Sequence, residues 1–568
     1  MFASALRQSR ADGSLSGSLP RNIIAGITVG IVALPLSMGL AIASGVPPQH
    51  GLYTAIVGGI VVALLGGSRV NISGPTAAFV VVLLPVVQQF GLGGLLLAGL
   101  MAGLITVAFG LLRFGRLIQV MPYPVIVGFT SGIGTVIAFL QLKDFLGLQP
   151  EPGASHFLDQ LGRLAAALPT LRWQELFIGV LTLGTLILWK KVPGRIPAYL
   201  VALLVGTITG VIFNHSGALP GVDTIAARFH FDLNGVEGNG IPPIAPHFLL
   251  PWQLPGPDGQ PIGLSWELLR ALLGPAFSIA LLGALESLLC AVVADSMSGH
   301  QHDPDSELVG QGMGNIAVAF FGGIPVTAAI ARTATNVRSG ATTPVSAIVH
   351  GLFVLLAMLL LAPWLSLVPM AAMAAVLMMV AWNMSEARHA LHIVRRAPRA
   401  DAAVLLTCFA LTVIIDMQVA VAGGLALASV LFIRRVTELT QIKTVEPREE
   451  TEYQQQKGVV LYDLDGPMFF GAAHKALKIV TSVDRDVHTV VLDLKDVGLM
   501  DATAMSNLED IANHLARRHT VLYLIHVRPE LVNKMRRYGL LGKSTPIRFA
   551  RDYQTVLQSV LIDRAATA

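Results

Sequence analysis

Apolar runs of membrane-spanning length recur through the first 435 residues, broken by short polar stretches, and then stop. A spanning helix needs about 20 apolar residues. Such runs fit at residues 23–43, 51–65, 74–88, 92–112, 120–140, 176–189 and 197–213. They fit again at 269–294, 308–321, 326–338, 344–361, 367–382, 402–415 and 419–432. Seven plus seven spans imply a polytopic α-helical membrane protein and point to a transporter rather than a single-pass receptor. Charged residues are 13% of the 568, about half the ordinary soluble share, so lipid is the solvent for much of the chain. The mean hydropathy of +0.66 agrees. A net charge of +4 argues against a nucleic-acid partner.

The polar breaks give an orientation. With the N-terminus inside, Arg69, Arg113, Arg116, Lys190, Lys191, Arg195, Arg388, Arg395, Arg396, Arg399, Arg434 and Arg435 all fall on the cytoplasmic side. The long break 214–267 holds only Arg228 and lies outside. This follows the positive-inside rule. The expected domains are a cytoplasmic segment 1–22, a transmembrane domain 23–435, a charged linker 436–456 and a cytoplasmic α/β domain 457–568.

Two spans are abnormal. Residues 74–88 and 326–338 are short, and each follows a Gly/Pro interruption: Ser73-Gly74-Pro75-Thr76 and Gly322-Gly323-Ile324-Pro325. Each is the third span of its half. Matched short, interrupted segments predict two half-helices at the binding site of an inverted-repeat transporter; two kinked helices with Pro at the first helical position are the alternative. Their N-termini, rich in unbonded N–H groups, form an anion site.

Two ionisable residues stand inside apolar spans, where they are costly and functional by default. Arg332 offers a fixed charge and a bidentate fork to a carboxylate or sulfate; a structural salt bridge is the alternative. Glu286 is a candidate proton carrier, because removal from water favours the neutral acid; an ionised partner for Arg332 is the alternative. Cys290 and Cys408 read as small core residues. The run His300–Asp305 resembles a metal site by composition, but it has no second ligand cluster and Pro304 suggests a solvated loop, so no metal site is predicted. Residues 542–544 (GKS) lack the first glycine of a P-loop, whose position is Arg537. No cofactor and no catalytic constellation is indicated. Asp144 and Asp416 fall near outer span ends.

The C-terminal part predicts strands at 458–465, 489–494 and 521–526 and helices at 502–518 and 530–539. Asp501 is the expected N-cap of the first of these helices. Thr503, in its first turn, is a candidate phosphate acceptor, with an unmodified threonine the plainer reading.

These residues resemble the sulfate permease (SulP) family. Residues 48–55 (PQHGLYTA) leading to Gly66-Gly67-Ser68-Arg69, 71–78 (NISGPTAA), 284–294 (ALESLLCAVVA), 306–315 (SELVGQGMGN) and 327–338 (TAAIARTATNVR) carry the likeness. Residues 491–494 (VLDL) and 500–504 (MDATA) are similar to STAS domains. The outer-loop residues 239–242 (NGIP) and residues 380–387 (VAWNMSEA) are similar to the family's bacterial C4-dicarboxylate branch. The resemblance implies a 7+7 inverted repeat with core and gate domains, commonly a homodimer, moving like an elevator in the bacterial inner membrane. It implies proton-coupled uptake of succinate, fumarate or aspartate, with sulfate or bicarbonate as alternatives. By position it assigns Glu286 to proton coupling. Arg332, Thr76, Ala77, Leu36, Leu40, Ala331 and Thr333 go to the anion site, and Thr503 to the regulatory position. A channel-like conductor, or a scaffold in which STAS holds a cytoplasmic partner such as acyl carrier protein, are rival readings.

Overall fold

The structure is a computed structural model that describes residues 3–567 except 119–120, 152–156, 190, 193–196, 216–220, 234–235, 416, 440, 445–457, 469–485 and 542–545. Lys190, Arg195, Asp416, most of the expected linker and the GKS run lie outside the described residues. The chain divides into a unit Met1–Leu425 and a unit Ala426–Ala568.

The spans follow in order. Span 1 is Leu19–Ala43, and span 2 runs through Pro48–Tyr53, Thr54–Gly58 and Gly59–Leu65. Spans 3 and 4 are the two parts of Ala77–Leu111, separated at Gly91, where φ is +68°. A side chain rarely tolerates that conformation. Spans 5, 6 and 7 are Tyr123–Leu146, Trp173–Trp189 and Ala198–His215. Spans 8 to 11 are Trp266–Ser298, Pro304–Phe320, Ile330–Arg338 and Val345–Leu365. Spans 12 to 14 are Met370–Met384, Arg399–Ile414 and Met417–Leu439. This is the 7+7 arrangement. Spans 6, 9 and 13 are only 16 or 17 residues long, and span 10 is a half-helix of nine.

Packing separates core from gate. In the core, span 1 lies on span 11, span 2 on spans 9 and 11, and spans 3 and 4 on spans 8 and 9. In the gate, span 5 lies on spans 12 and 13, and span 6 on spans 7 and 12. The two meet where Gly39 of span 1 lies against Met373 and Leu377 of span 12. The absence of a Cβ there lets the helices approach closely.

The N-terminal segment contains the helix Ser4–Ala11 with Ala5 and Ser9 fully buried. Ala3 N–H donates to the Leu65 carbonyl at 2.9 Å, and Arg69 pairs with Asp12 at 2.5 Å. The segment is thereby docked on the end of span 2. Asp12 is held down at about 2 by hydrogen bonds from Ser14 and then by Arg69. Arg228 bonds Asp144 at 2.7 Å and Asp223 at 2.8 Å, tying the long loop to the end of span 5.

The strands of the first unit are β1 (Ser73–Gly74), β2 (His230–Leu233), β3 (Val236–Asn239) and β4 (Thr327–Ala328); the second unit holds a five-stranded sheet, β5 (Gln441–Thr444), β6 (Val459–Asp465), β7 (Thr489–Asp496), β8 (Val521–Ile525) and β9 (Ile547–Phe549), in that spatial order. The β5–β6 pair is antiparallel and the rest are parallel. The Val- and Leu-rich strands predicted from sequence form its centre, buried on both faces as parallel strands are. Helices Ala502–Arg517, Pro529–Tyr538 and Tyr553–Thr567 accompany it.

Candidate functional site

The first Gly/Pro interruption begins as a short strand, and the second is an irregular turn that leads into another. Ser73–Gly74 (β1) and Thr327–Ala328 (β4) pair as antiparallel strands, with Ser73 opposite Ala328 and Gly74 opposite Thr327. Each strand leads within a few residues into a half-helix, Ala77 onward and Ile330–Arg338. Because the strands are antiparallel, the half-helices leave in opposite directions and their N-termini meet at the strand pair. Neither N-terminus is capped by a side chain: Thr76 and Ala329 are the N-cap residues, and neither makes a cap bond. The first-turn N–H groups thus receive none of the usual side-chain relief.

Thr76 spends its hydroxyl elsewhere. It donates to Glu286 Oε1 on span 8 at 2.7 Å, while Glu286 Oε2 has no hydrogen-bond partner. Arg332, 3% exposed, donates from Nη2 to the Pro75 carbonyl, and its Nη1 is buried without a partner. Gly74 lies directly under that guanidinium, where any Cβ would collide. A buried guanidinium with an unpartnered Nη1 beside two uncapped helix starts has the chemistry to hold an oxyanion. No direct ion pair joins Glu286 to Arg332 among the described residues. The two charges serve separate atoms.

The other expected site residues are distributed as follows. Ala77 opens the first half-helix and is buried; Ala331 lies in the first turn of the second and is exposed. Leu36 and Leu40 are buried on span 1. Thr333 is turned toward the scaffold: its oxygen accepts from Ile72 N–H at 3.0 Å and from the Cys290 thiol at 3.2 Å. Thr503 is exposed at the start of the helix that Asp501 caps, with Asp501 Oδ1 accepting from Ala504 N–H at 2.7 Å. His302 bonds Asp295, Asp303 caps span 9, and no metal-binding cluster occurs among the described residues.

Span 9 carries residues that sequence reasoning passed over. Glu307, Gln311 and Asn315 stand four residues apart, on one helix face. Glu307 Oε2 accepts from Gly67 N–H at 2.9 Å and Ser68 N–H at 3.0 Å. Its Oε1 accepts from Asn71 Nδ2 and from Ser287 Oγ, each at 3.0 Å. Gln311 donates to Ser73 Oγ at 2.9 Å. Asn315 bonds both the N–H and the carbonyl of Val326 at 2.9 Å. One ladder therefore satisfies the backbone leading into both half-helices. Non-helical chain at membrane depth survives only when so satisfied. The spacing of three amide or acid side chains in an apolar span was the available signal.

Fold and site together define a membrane anion transporter built on an inverted repeat. Residues 19–408 match the Sulfate permease family and residues 450–555 the STAS domain, so the chain belongs to the Sulfate permease family and carries a C-terminal STAS domain. It is 40% identical to YvdB of Bacillus subtilis (strain 168), provisionally named a sulfate transporter, over 92% of this chain and 94% of that protein. It is 30% identical to the bicarbonate transporter BicA of Picosynechococcus sp. (strain ATCC 27264 / PCC 7002 / PR-6), over 95% and 94%. The structure of SLC26A9 shares its fold, with a TM-score of 0.81 at 15% identity, covering 99% of this chain and 95% of that one.

Proposed function

We propose that the chain is a proton-coupled carrier of a small inorganic oxyanion, sulfate or bicarbonate, in the bacterial inner membrane. The observation that carries this reading is the buried Arg332 with its unbonded Nη1, set at two uncapped half-helix starts. One guanidinium and two helix ends suit one compact anion. Relatives named for sulfate and bicarbonate support the class. Glu286 takes the proton: its Oε2 has no other partner, and its Oε1 is bonded to the residue that begins the first half-helix. A proton on Glu286 and an anion at Arg332 then act on the same strand pair.

C4-dicarboxylate uptake is the second reading, favoured by residues 239–242 and 380–387. In it each helix start would take one carboxylate. The STAS unit is placed in the cytoplasm, on a homodimer, with Thr503 as its modifiable position and a protein partner such as acyl carrier protein.

The deciding experiment is uptake of labelled sulfate, bicarbonate and succinate into proteoliposomes under an inward proton gradient, with Glu286→Gln alongside. The reading expects proton-driven accumulation of an inorganic oxyanion by the native protein. Glu286→Gln should lose accumulation and keep anion exchange. Accumulation of succinate alone would transfer the assignment to the second reading. Accumulation by Glu286→Gln equal to the native protein would remove Glu286 from the coupling.

A further inference from the structure

We propose that the gate binds an anionic phospholipid, with an acyl chain in the groove between spans 5, 6, 12 and 13 and the phosphodiester on the arginines of the helix Ala387–Arg396. The groove is an open cavity of about 940 Å³. Its wall is apolar, with Phe139 from span 5, Leu183 and Ile187 from span 6, Met378 and Trp382 from span 12, and Phe409 from span 13. A hydrocarbon chain fits that lining, and an inorganic anion does not.

The connecting helix Ala387–Arg396 supplies the second half of the site. It is two-faced. Ala387, Ala390, Leu391 and Val394 close the groove. Arg388, His392, Arg395 and Arg396 bound a smaller cleft of about 360 Å³, and Leu391 lines both spaces. The apolar groove and the basic cleft are therefore contiguous along one side chain, as the tail and head of one lipid require. The three arginines are exposed, and none has an ion-pair partner among the described residues. Glu386 precedes the helix, and Asp401 follows it on span 13; neither pairs with these arginines.

Charge decides the occupant. The cleft offers fixed positive charge at the membrane end of an apolar trough, the pattern that recruits anionic headgroups. A second copy docked on this face about a two-fold axis would bring the same arginines toward each other. A free anion would leave the groove unfilled. The proposal is independent of which anion is transported and of how transport is coupled.

Trp382 provides a direct readout, since it lines the groove and is 62% exposed. The full chain would be reconstituted in phosphatidylcholine vesicles containing, at equal mole fractions, phosphatidylglycerol or phosphatidylcholine with brominated acyl chains. Trp382→Phe, measured in parallel, subtracts the other five tryptophans. Bromine quenches only when an acyl chain reaches the indole, so a soluble phosphate cannot imitate the signal. The expected result is stronger quenching of Trp382 by brominated phosphatidylglycerol. Each engaged arginine should contribute about fivefold to the preference. The preference should vanish in the triple variant Arg388→Gln/Arg395→Gln/Arg396→Gln, whose changes are confined to exposed side chains. Equal quenching by both lipids would overturn the headgroup assignment. Absence of quenching by either would show the groove filled by protein. A preference that survives in the triple variant would place the anionic site elsewhere.

Discussion

Glu307→Gln tests the ladder on span 9. The native carboxylate accepts from Gly67 N–H, Ser68 N–H, Asn71 Nδ2 and Ser287 Oγ at 2.9–3.0 Å, and it is 1% exposed. Glutamine keeps one accepting oxygen. Its NH₂ group must face two of those four donors, whichever way it turns. Two hydrogen bonds to a charged acceptor are lost, at about 1.5–3 kcal/mol each. Removing a buried charge returns part of that cost, so a net loss near the lower end, about 3 kcal/mol, is expected. In either orientation at least one donor left facing NH₂ belongs to the chain entering the first half-helix, so anion transport should weaken together with stability. The assay is thermal unfolding of the detergent-purified full chain, with Glu267→Gln as an exposed control expected within about 0.5 kcal/mol of native. A loss of about 3 °C is expected for Glu307→Gln. A melting temperature equal to that of the control would refute the claim that this carboxylate holds the interrupted backbone.

Three further outcomes follow from the site. Arg332→Lys keeps the charge but cannot both hold the Pro75 carbonyl and present a second donor in the same plane; apparent anion affinity should fall about tenfold or more, read as KM for uptake. Gly74→Ala places a methyl group against the same guanidinium, so it should reproduce the affinity loss of Arg332→Lys without touching a charge, again read as KM. Asp501→Ala removes the cap bond to Ala504 N–H and should destabilise the STAS unit by about 1 kcal/mol, seen as faster amide exchange in the helix Ala502–Arg517 of the full chain.

What the sequence reveals here depends on whether a feature breaks its local pattern. Arg332 and Glu286 are visible because a charge in an apolar run needs a reason. The two half-helices are visible because Gly and Pro interrupt spans at matching places. The pairing of β1 with β4 is not visible: it joins Ser73 to Ala328 across more than 250 positions, and each strand has only two residues. Glu307 was hidden for a related reason. It lies near the end of its span, where a polar residue is unremarkable, and its partners Gly67 and Ser68 are backbone groups about 240 residues away. In the STAS unit, the Val- and Leu-rich strands were legible, whereas β9 (Ile547–Phe549) is too short for a period-two pattern to register. The helix Ala387–Arg396 was read only as a run of positive charge, because a polar break is judged by its charges and its apolar stripe is noticed only once it is seen to pack.

The seam between core and gate gives one more test, because among the described residues it lacks the side-chain hydrogen bonds that fasten the core. Within the core, side-chain hydrogen bonds from span 9 hold both half-helices, so the strand pair and its helix starts move as one body. Across the seam, Gly39 meets the flexible ends of Met373 and Leu377, and the surrounding cluster is built of alanine, valine, leucine, isoleucine and methionine with Tyr53. Contacts of this kind have no preferred register and can slide, whereas a hydrogen-bonded contact holds one position. If transport carries the anion site by displacing the core against the gate, this seam is where the shear occurs. Gly39→Cys with Leu377→Cys, in a background where Cys290 and Cys408 are replaced, would let a short thiol-reactive cross-linker join the two sides. Uptake should stop on cross-linking and return on release by a reducible linker, while anion binding measured in detergent persists. Full-rate uptake by the cross-linked protein would mean that the anion crosses without this displacement, and the rigid-core argument would fail with it.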